Sequence, residues 1–242
     1  MTTLTTDIAG RLTRIHETAY WRILLHPTEY DPQRLPTLKD CRTAIEAASV
    51  RLRGWDYPHI GPPPNDYVYG SVWIQSGSDF GNHVELWRFY QSGQFIHQRA
   101  DLVERIGPYE VITDPHGGQI RPGPRRLDFV EILYTATEIL EFARGLAYRG
   151  VLNPSASLTI ELHNATGHQL LAPPGRLMVE TYIYRSEEPI CWRATQPAPA
   201  LVAKAPEFAL EATVAILERF GWPDVSRSML ETDQRRFLER RV

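Results

Sequence analysis

A carboxylate and an imidazole stand three residues apart in the segment 55–59, which reads Trp-Asp-Tyr-Pro-His. The proline between Asp56 and His59 restricts the backbone of this turn. Side chains held in this way can act as an orienting carboxylate and a general base, or as two ligands of a metal ion. In the structural alternative, Trp55 and Tyr57 pack under the following loop while Asp56 caps backbone amides.

A second group, His83, Glu85 and His97, offers two imidazoles and a carboxylate. The dipeptide at 92–93, Ser-Gly, separates two runs of alternating residues and predicts a hairpin with a two-residue loop. The register that follows places Arg88 opposite His97. Glu85 and His97 then point to opposite faces of the sheet, so this register excludes a joint site.

The same register predicts a sheet face that is rich in arginine and aromatic side chains. We predict that five residues of this face bind a partner: Arg88, Tyr90, Phe95, His97 and Arg99. Basic and aromatic side chains interleaved on a sheet are typical of surfaces on which single-stranded nucleic acid stacks. The alternative is a solvated face, or one covered by the glycine- and proline-rich segment 106–124.

Polar residues also alternate along two predicted strands near the middle of the second half. Glu161 and His163 lie on one of them, and Glu180, Tyr182 and Tyr184 on the other. If these strands are adjacent and in register, the carboxylates and the imidazole can form a general acid and base pair. Alternating polar residues are also what any half-exposed antiparallel sheet displays.

The sequence contains none of the common catalytic signatures. It has no phosphate-binding loop, no dinucleotide-binding glycine motif, no nucleophile elbow and no zinc-binding helix motif. The two cysteines, Cys41 and Cys191, form neither a disulfide framework nor a closely spaced metal or redox pair. We therefore identify no cofactor and no metal site.

Helix and strand signals alternate along the chain. A first helix opens at Thr6 and runs for about 15 residues, or continues through Trp21 and Leu25 until Pro27. A capping box at Thr37 and Asp40 begins a second helix. Further helices are predicted over 127–148, 208–220 and 229–241, and strands over 67–74, 83–90, 94–99, 158–162, 177–183 and 190–194.

This pattern predicts an α+β fold, with antiparallel sheet covered on one face by helices. We predict one globular domain over residues 1–242. The order of helix, antiparallel strands and helix occurs twice, which suggests an internal duplication with halves 37–150 and 127–223. Similar helix endings, each a glycine followed closely by proline, also arise independently.

The charge balance limits the partners. Lysine and arginine number 26 against 29 aspartate and glutamate, which gives a net charge of −3. Such a chain does not attract polyanions as a whole, so a nucleic-acid site would be a local patch. Two of the basic residues are lysine, Lys39 and Lys204, and 24 are arginine, which forms forked contacts to carboxylates and phosphates. A GC-rich genome produces the same bias.

The N-terminal sequence lacks the apolar region of a signal peptide, and no run is long enough to span a membrane. We therefore predict a cytoplasmic protein without a membrane partner. Our first interpretation is a non-enzymatic binding or accessory protein that recognises a macromolecule, either another protein or a second copy, through the arginine-rich face. The alternatives are a hydrolase or other acid–base enzyme that uses Asp56 and His59, with or without a metal, and a single-stranded nucleic-acid binding module.

Overall fold

The structure is a computed structural model that describes residues 8–61, 67–80, 83–100, 125–173, 175–178 and 180–240. The glycine- and proline-rich segment 106–124 lies outside the described residues. Helices and an antiparallel sheet follow one another along the chain, so the predicted α+β class is confirmed.

The main sheet has seven antiparallel strands within the described ranges: β1 (Tyr20–Pro27), β2 (Val68–Tyr69), β3 (Trp73–Phe80), β4 (His83–Tyr90), β5 (Phe95–Ala100), β7 (Ser155–His163) and β9 (Ile190–Pro197). Their order in the sheet is β2-β3-β4-β5-β1-β7-β9. A separate parallel pair is formed by β6 (Arg126–Asp128) and β8 (Gln169–Leu171).

The described helices are α1 (Ile8–His16), α2 (Leu38–Ala48), α3 (Phe129–Tyr148), α4 (Ala198–Arg219) and α5 (Arg227–Leu238). Helices α2, α3 and α4 cover one face of the sheet, called the inner face below, and α5 packs on α3 and α4. Helix α1 lies on the opposite, outer face against β4 and β5. No helix within the described ranges has both the length and the apolar character that crossing a membrane requires.

Side-chain caps fix where the helices of the inner face begin. The hydroxyl of Thr37 accepts from the amide of Asp40, and the Asp40 carboxylate accepts from the amide of Thr37. This is the predicted capping box, which satisfies two amides that the first turn leaves without helical partners. Asp128 caps α3 in a similar way by accepting from the amide of Val130.

Strand β1 differs from the sequence prediction. The first helix ends at His16, and the residues predicted to continue it form a strand at the centre of the sheet, between β5 and β7. Trp21, Ile23 and Leu25 are all buried and alternate with half-exposed residues, which is the two-residue period of a strand. The predicted strand over 177–183 is also wrong, because its described residues are irregular apart from one bridge between Ile183 and Gln169.

A large cluster of buried apolar side chains joins the inner face of the sheet to α2, α3 and α4. The sheet runs without a break through both halves of the suggested duplication, 37–150 and 127–223, and the duplication itself stays a prediction. Helices α2 and α3 approach each other closely at Gly145. A Cβ atom there would lie 2.9 Å from the Cα of Ala48 and 3.0 Å from its carbonyl oxygen.

The substitution Gly145→Ala tests this approach. Alanine favours a helix over glycine by about 1 kcal/mol, so an uncrowded site would become more stable. Because the added methyl group meets the backbone of Ala48, we expect the cost of overpacking to exceed this gain. The free energy of unfolding should then decrease by about 1–2 kcal/mol. Urea unfolding measures the difference, and a more stable variant would contradict the close contact of α2 with α3.

Candidate active site

The β4–β5 hairpin has a different register from the one that the sequence predicted. Trp87 lies opposite His97, and Glu85 lies opposite Arg99. The loop contains three residues, 91–93, because the amide of residue 93 donates to the carbonyl of residue 90 and Gly93 has a φ of 82°. A three-residue loop that ends in a left-handed glycine is a common hairpin connection, and it moves every pair by one position.

This register separates the five predicted binding residues. Phe95, His97 and Arg99 point to the inner face and are at most 2% exposed. Arg88 and Tyr90 point to the outer face and are partly exposed. The prediction of one continuous arginine and aromatic face is therefore wrong.

The same register brings Glu85 and His97 to one face, so the predicted separation of these two residues is also wrong. Nε2 of His97 lies 3.2 Å from Oε2 of Glu85, and Nδ1 of His97 lies 3.2 Å from the Tyr57 hydroxyl. Nε2 of His83 lies 3.3 Å from the same Glu85 oxygen. Both imidazoles and the carboxylate are buried, with His83 the most exposed of the three at 8%.

The turn at 55–59 is attached to this group through its backbone. The amide of His59 donates to Oε1 of Glu85 at 2.6 Å, and its carbonyl accepts from the Trp87 indole at 2.7 Å. The His59 ring lies 6.0 Å from the His83 ring, centroid to centroid. Asp56 instead forms an ion pair with Arg51. Of the two residues predicted to act in this turn, His59 lies beside Glu85 and His83, and Asp56 does not.

We call Tyr57, His59, His83, Glu85 and His97 the Glu85 cluster. Burial alone would raise the pKa of Glu85. At the low pH where this carboxyl titrates, the positive charge and hydrogen bond of His97 and the nearby imidazole of His83 outweigh burial and hold the pKa of Glu85 well below its usual range. Burial lowers the pKa of His97 more than Glu85 raises it. Burial also raises the pKa of Tyr57 well above its usual value.

These directions assign a protonation state near pH 7. Glu85 is ionised, His97 is neutral and Tyr57 keeps its proton. The Tyr57 hydroxyl then donates to Nδ1 of His97, and Nε2 of His97 donates to Glu85. A carboxylate that accepts from several donors in this way orients the imidazoles around it.

A second group of buried charges continues from the cluster towards α3. Arg99 lies over the Tyr57 ring at 5.9 Å, and its guanidinium donates to the Thr135 hydroxyl at 2.6 Å and lies 3.6 Å from Oε2 of Glu138. Arg53 donates to the same Glu138 oxygen at 3.1 Å and also pairs with Glu131. Burial raises the pKa of Glu138 more than the two arginines lower it.

Sequence analysis missed the partners that α3 contributes to this group. Glu131, Thr135 and Glu138 occupy one face of a helix whose other residues are mostly apolar. Their spacing places these polar residues within the apolar stripe of the helix, which indicates that they are buried. Because buried charges in proteins are almost always paired, this spacing could have predicted basic partners.

The third predicted group is divided between two places. Oε2 of Glu161 lies 3.0 Å from Nε2 of His163 and accepts from Arg22 at 2.8 Å, on the outer face of the sheet. Arg193 reaches the other oxygen of Glu161 at 3.3 Å. The remaining members lie elsewhere: Glu180 and Tyr182 line a cavity beside Trp222, and the Tyr184 hydroxyl donates to the carbonyl of Glu188.

Among the residues that the structure describes, no three His, Cys, Asp or Glu side chains are grouped so that they could hold a metal ion. Comparison with protein-family models, with curated protein sequences and with solved structures finds no match for this chain.

The electrostatics of the cluster predict how stability depends on pH. Because His97 has a lowered pKa in the folded protein, the unfolded chain binds more protons just below pH 6.5, the ordinary value for histidine. The stability contributed by neutral His97 is thus complete above that pH and is lost as the pH falls through the folded pKa. We expect the free energy of unfolding to decrease from pH 7 to pH 5, and less steeply in His97→Gln.

Urea unfolding at several pH values measures these slopes. His26→Gln is the matched control because this histidine is exposed near the end of β1. Equal slopes for His97→Gln and the unmodified protein would show that His97 is not held neutral by its surroundings.

Proposed function

We propose that the protein is an acid–base enzyme in which His83 is the general base and Glu85 orients it. One observation carries the proposal: a buried, ionised carboxylate contacts two imidazoles and holds a third beside them through the His59 amide. The carboxylate next to Nε2 of His83 favours the tautomer with a proton at that atom. Nδ1 is then the basic nitrogen of His83.

The other members of the cluster have supporting roles in this proposal. His97 and Tyr57 fix the position of Glu85 from the buried side. The Tyr57 hydroxyl contacts His97, and His97 contacts Glu85. His59 places a second imidazole next to His83, and one ring can accept a proton while the other donates one. Trp55 is 40% exposed and lies 6.1 Å from the His83 ring, so it offers a substrate an apolar surface beside the base.

Asp56 is not given a role in proton transfer, because it pairs with Arg51. His59, which the sequence suggested as the general base, becomes the second imidazole beside His83 in this proposal, and Glu85 takes the orienting role suggested for Asp56. Hydrolysis is the reaction class that we assign, since a histidine base oriented by a carboxylate activates water or a hydroxyl group for attack on an ester.

Hydrolysis of p-nitrophenyl acetate tests the proposal with a substrate that needs no specific recognition. We expect turnover above the buffer rate, and a loss of about 10²- to 10⁴-fold in His83→Gln because the base is removed. His26→Gln should retain the full rate. Turnover equal to that of buffer, or equal rates for His83→Gln and the unmodified protein, would contradict the proposal.

A second candidate is a binding protein that uses the outer face of the sheet to recognise an acidic partner protein. Arg22 and Arg193 are 39% and 71% exposed in their side chains, and Arg88 lies on the same face. Arg22 and Arg193 both contact Glu161, so this group carries a net positive charge although the chain carries −3. This candidate ranks second because Arg88 already donates to Gln75.

The double substitution Arg88→Ala with Tyr90→Ala tests the second candidate. Fluorescence polarisation with a labelled oligoglutamate peptide should show binding that the double variant loses while its melting temperature stays close to that of the unmodified protein. Binding retained by the double variant would exclude these two residues. A preference for oligo-dT over the peptide, with affinity falling steeply as salt rises, would instead favour the nucleic-acid alternative.

A further inference from the structure

A groove of about 850 Å³ lies between α2, the turn that follows it, and α3. Four arginines are among its described lining residues, together with three carboxylates, so its lining carries one net positive charge in a chain of −3. The arginines are Arg42, Arg51, Arg144 and Arg240. The volume is within the range of pockets that hold small organic ligands.

The arginines of the groove are able to turn towards a ligand. The side chains of Arg42, Arg51 and Arg144 are 40%, 70% and 48% exposed, and each pairs with a carboxylate of the same groove. An ion pair as exposed as Arg42–Glu46 contributes little to stability, so exchanging the partner costs little. Arg144 contacts buried Glu141 through one nitrogen, which leaves the other N–H groups of its guanidinium for a ligand. Guanidinium groups form forked contacts to phosphate oxygens, which favours a phosphate as the anion.

Glu141 supplies an independent observation. Its side chain is 6% exposed although it lines the groove, and Oε2 accepts from Arg144 at 2.6 Å. Oε1 is buried and has no hydrogen-bond partner among the described residues. A buried carboxylate oxygen in this condition is costly unless a donor reaches it. A small rotation of this carboxylate would turn Oε1 towards the groove, where a ligand with an N–H or O–H group beside its phosphate would satisfy it.

We propose that the groove binds a phosphate monoester, with the phosphate held by Arg51, Arg144 and Arg240 and a hydrogen-bond donor of the esterified group directed at Glu141. The ligand belongs to the class of sugar phosphates and nucleoside monophosphates. The site does not include His83 or Glu85, and it is independent of the function proposed above.

Isothermal titration with AMP, ribose 5-phosphate and inorganic phosphate tests the site. We expect both esters to bind about tenfold or more tightly than phosphate, because only the esters reach Glu141. Tighter binding of AMP would assign the donor to a base, and tighter binding of ribose 5-phosphate would assign it to a sugar hydroxyl. No binding of either ester at millimolar concentration would overturn the proposal.

Four variants locate the contacts. Arg51→Gln and Arg144→Gln should each weaken both esters about tenfold, since a charged donor to the phosphate is lost. Arg227→Gln is the matched control, because this exposed arginine on α5 pairs with Glu231 in the same way, outside the groove. Glu141→Met keeps the volume of the side chain and should abolish the preference for esters over phosphate.

Equal affinities in Arg51→Gln, Arg227→Gln and the unmodified protein would overturn the assignment of the groove. A preference for esters retained in Glu141→Met would overturn the contact to the carboxylate. His83→Gln should bind the esters with unchanged affinity, so failure of the acid–base proposal and failure of this site give different results.

Discussion

The rest of the structure depends on the burial of one charge, that of Glu85. Removing a carboxylate from water costs several kcal/mol unless donors replace the water. Here the donors are the amide of His59 in the turn after α2 and the ring of His97 on β5, and His83, on the same strand as Glu85, lies 3.3 Å from the carboxylate. The charge therefore connects the 55–59 turn to the hairpin.

The length of one hairpin loop decides which side chains reach that charge. A shift of one residue exchanges the two faces of a strand. The Ser-Gly dipeptide at 92–93 is compatible with a two-residue or a three-residue loop, so the local sequence does not choose between them. The choice is made by packing, because the observed register buries Phe95 among the rings of Trp87, Phe89 and Phe142.

Helix starts could be predicted from the sequence because their signals are local. The capping box at Thr37 and Asp40 is one of these. Strand β1 could not be predicted in the same way. Its buried residues Trp21, Ile23 and Leu25 have the spacing of a strand, but they follow directly on a helical pattern. The site could be predicted only in part: the turn residues were identified, but the charges that complete it are contacts between distant segments, which a single sequence does not reveal.

The protonation of His97 is open to direct measurement, because the arrangement around Glu85 needs a neutral ring between a tyrosine and an ionised carboxylate. Long-range ¹H–¹⁵N NMR of the histidine rings reports both the tautomer and the pKa of each ring. We expect His97 to carry its proton on Nε2 and to have a pKa below 6.5, the ordinary value. A proton on Nδ1, or a pKa at or above that value, would contradict this arrangement.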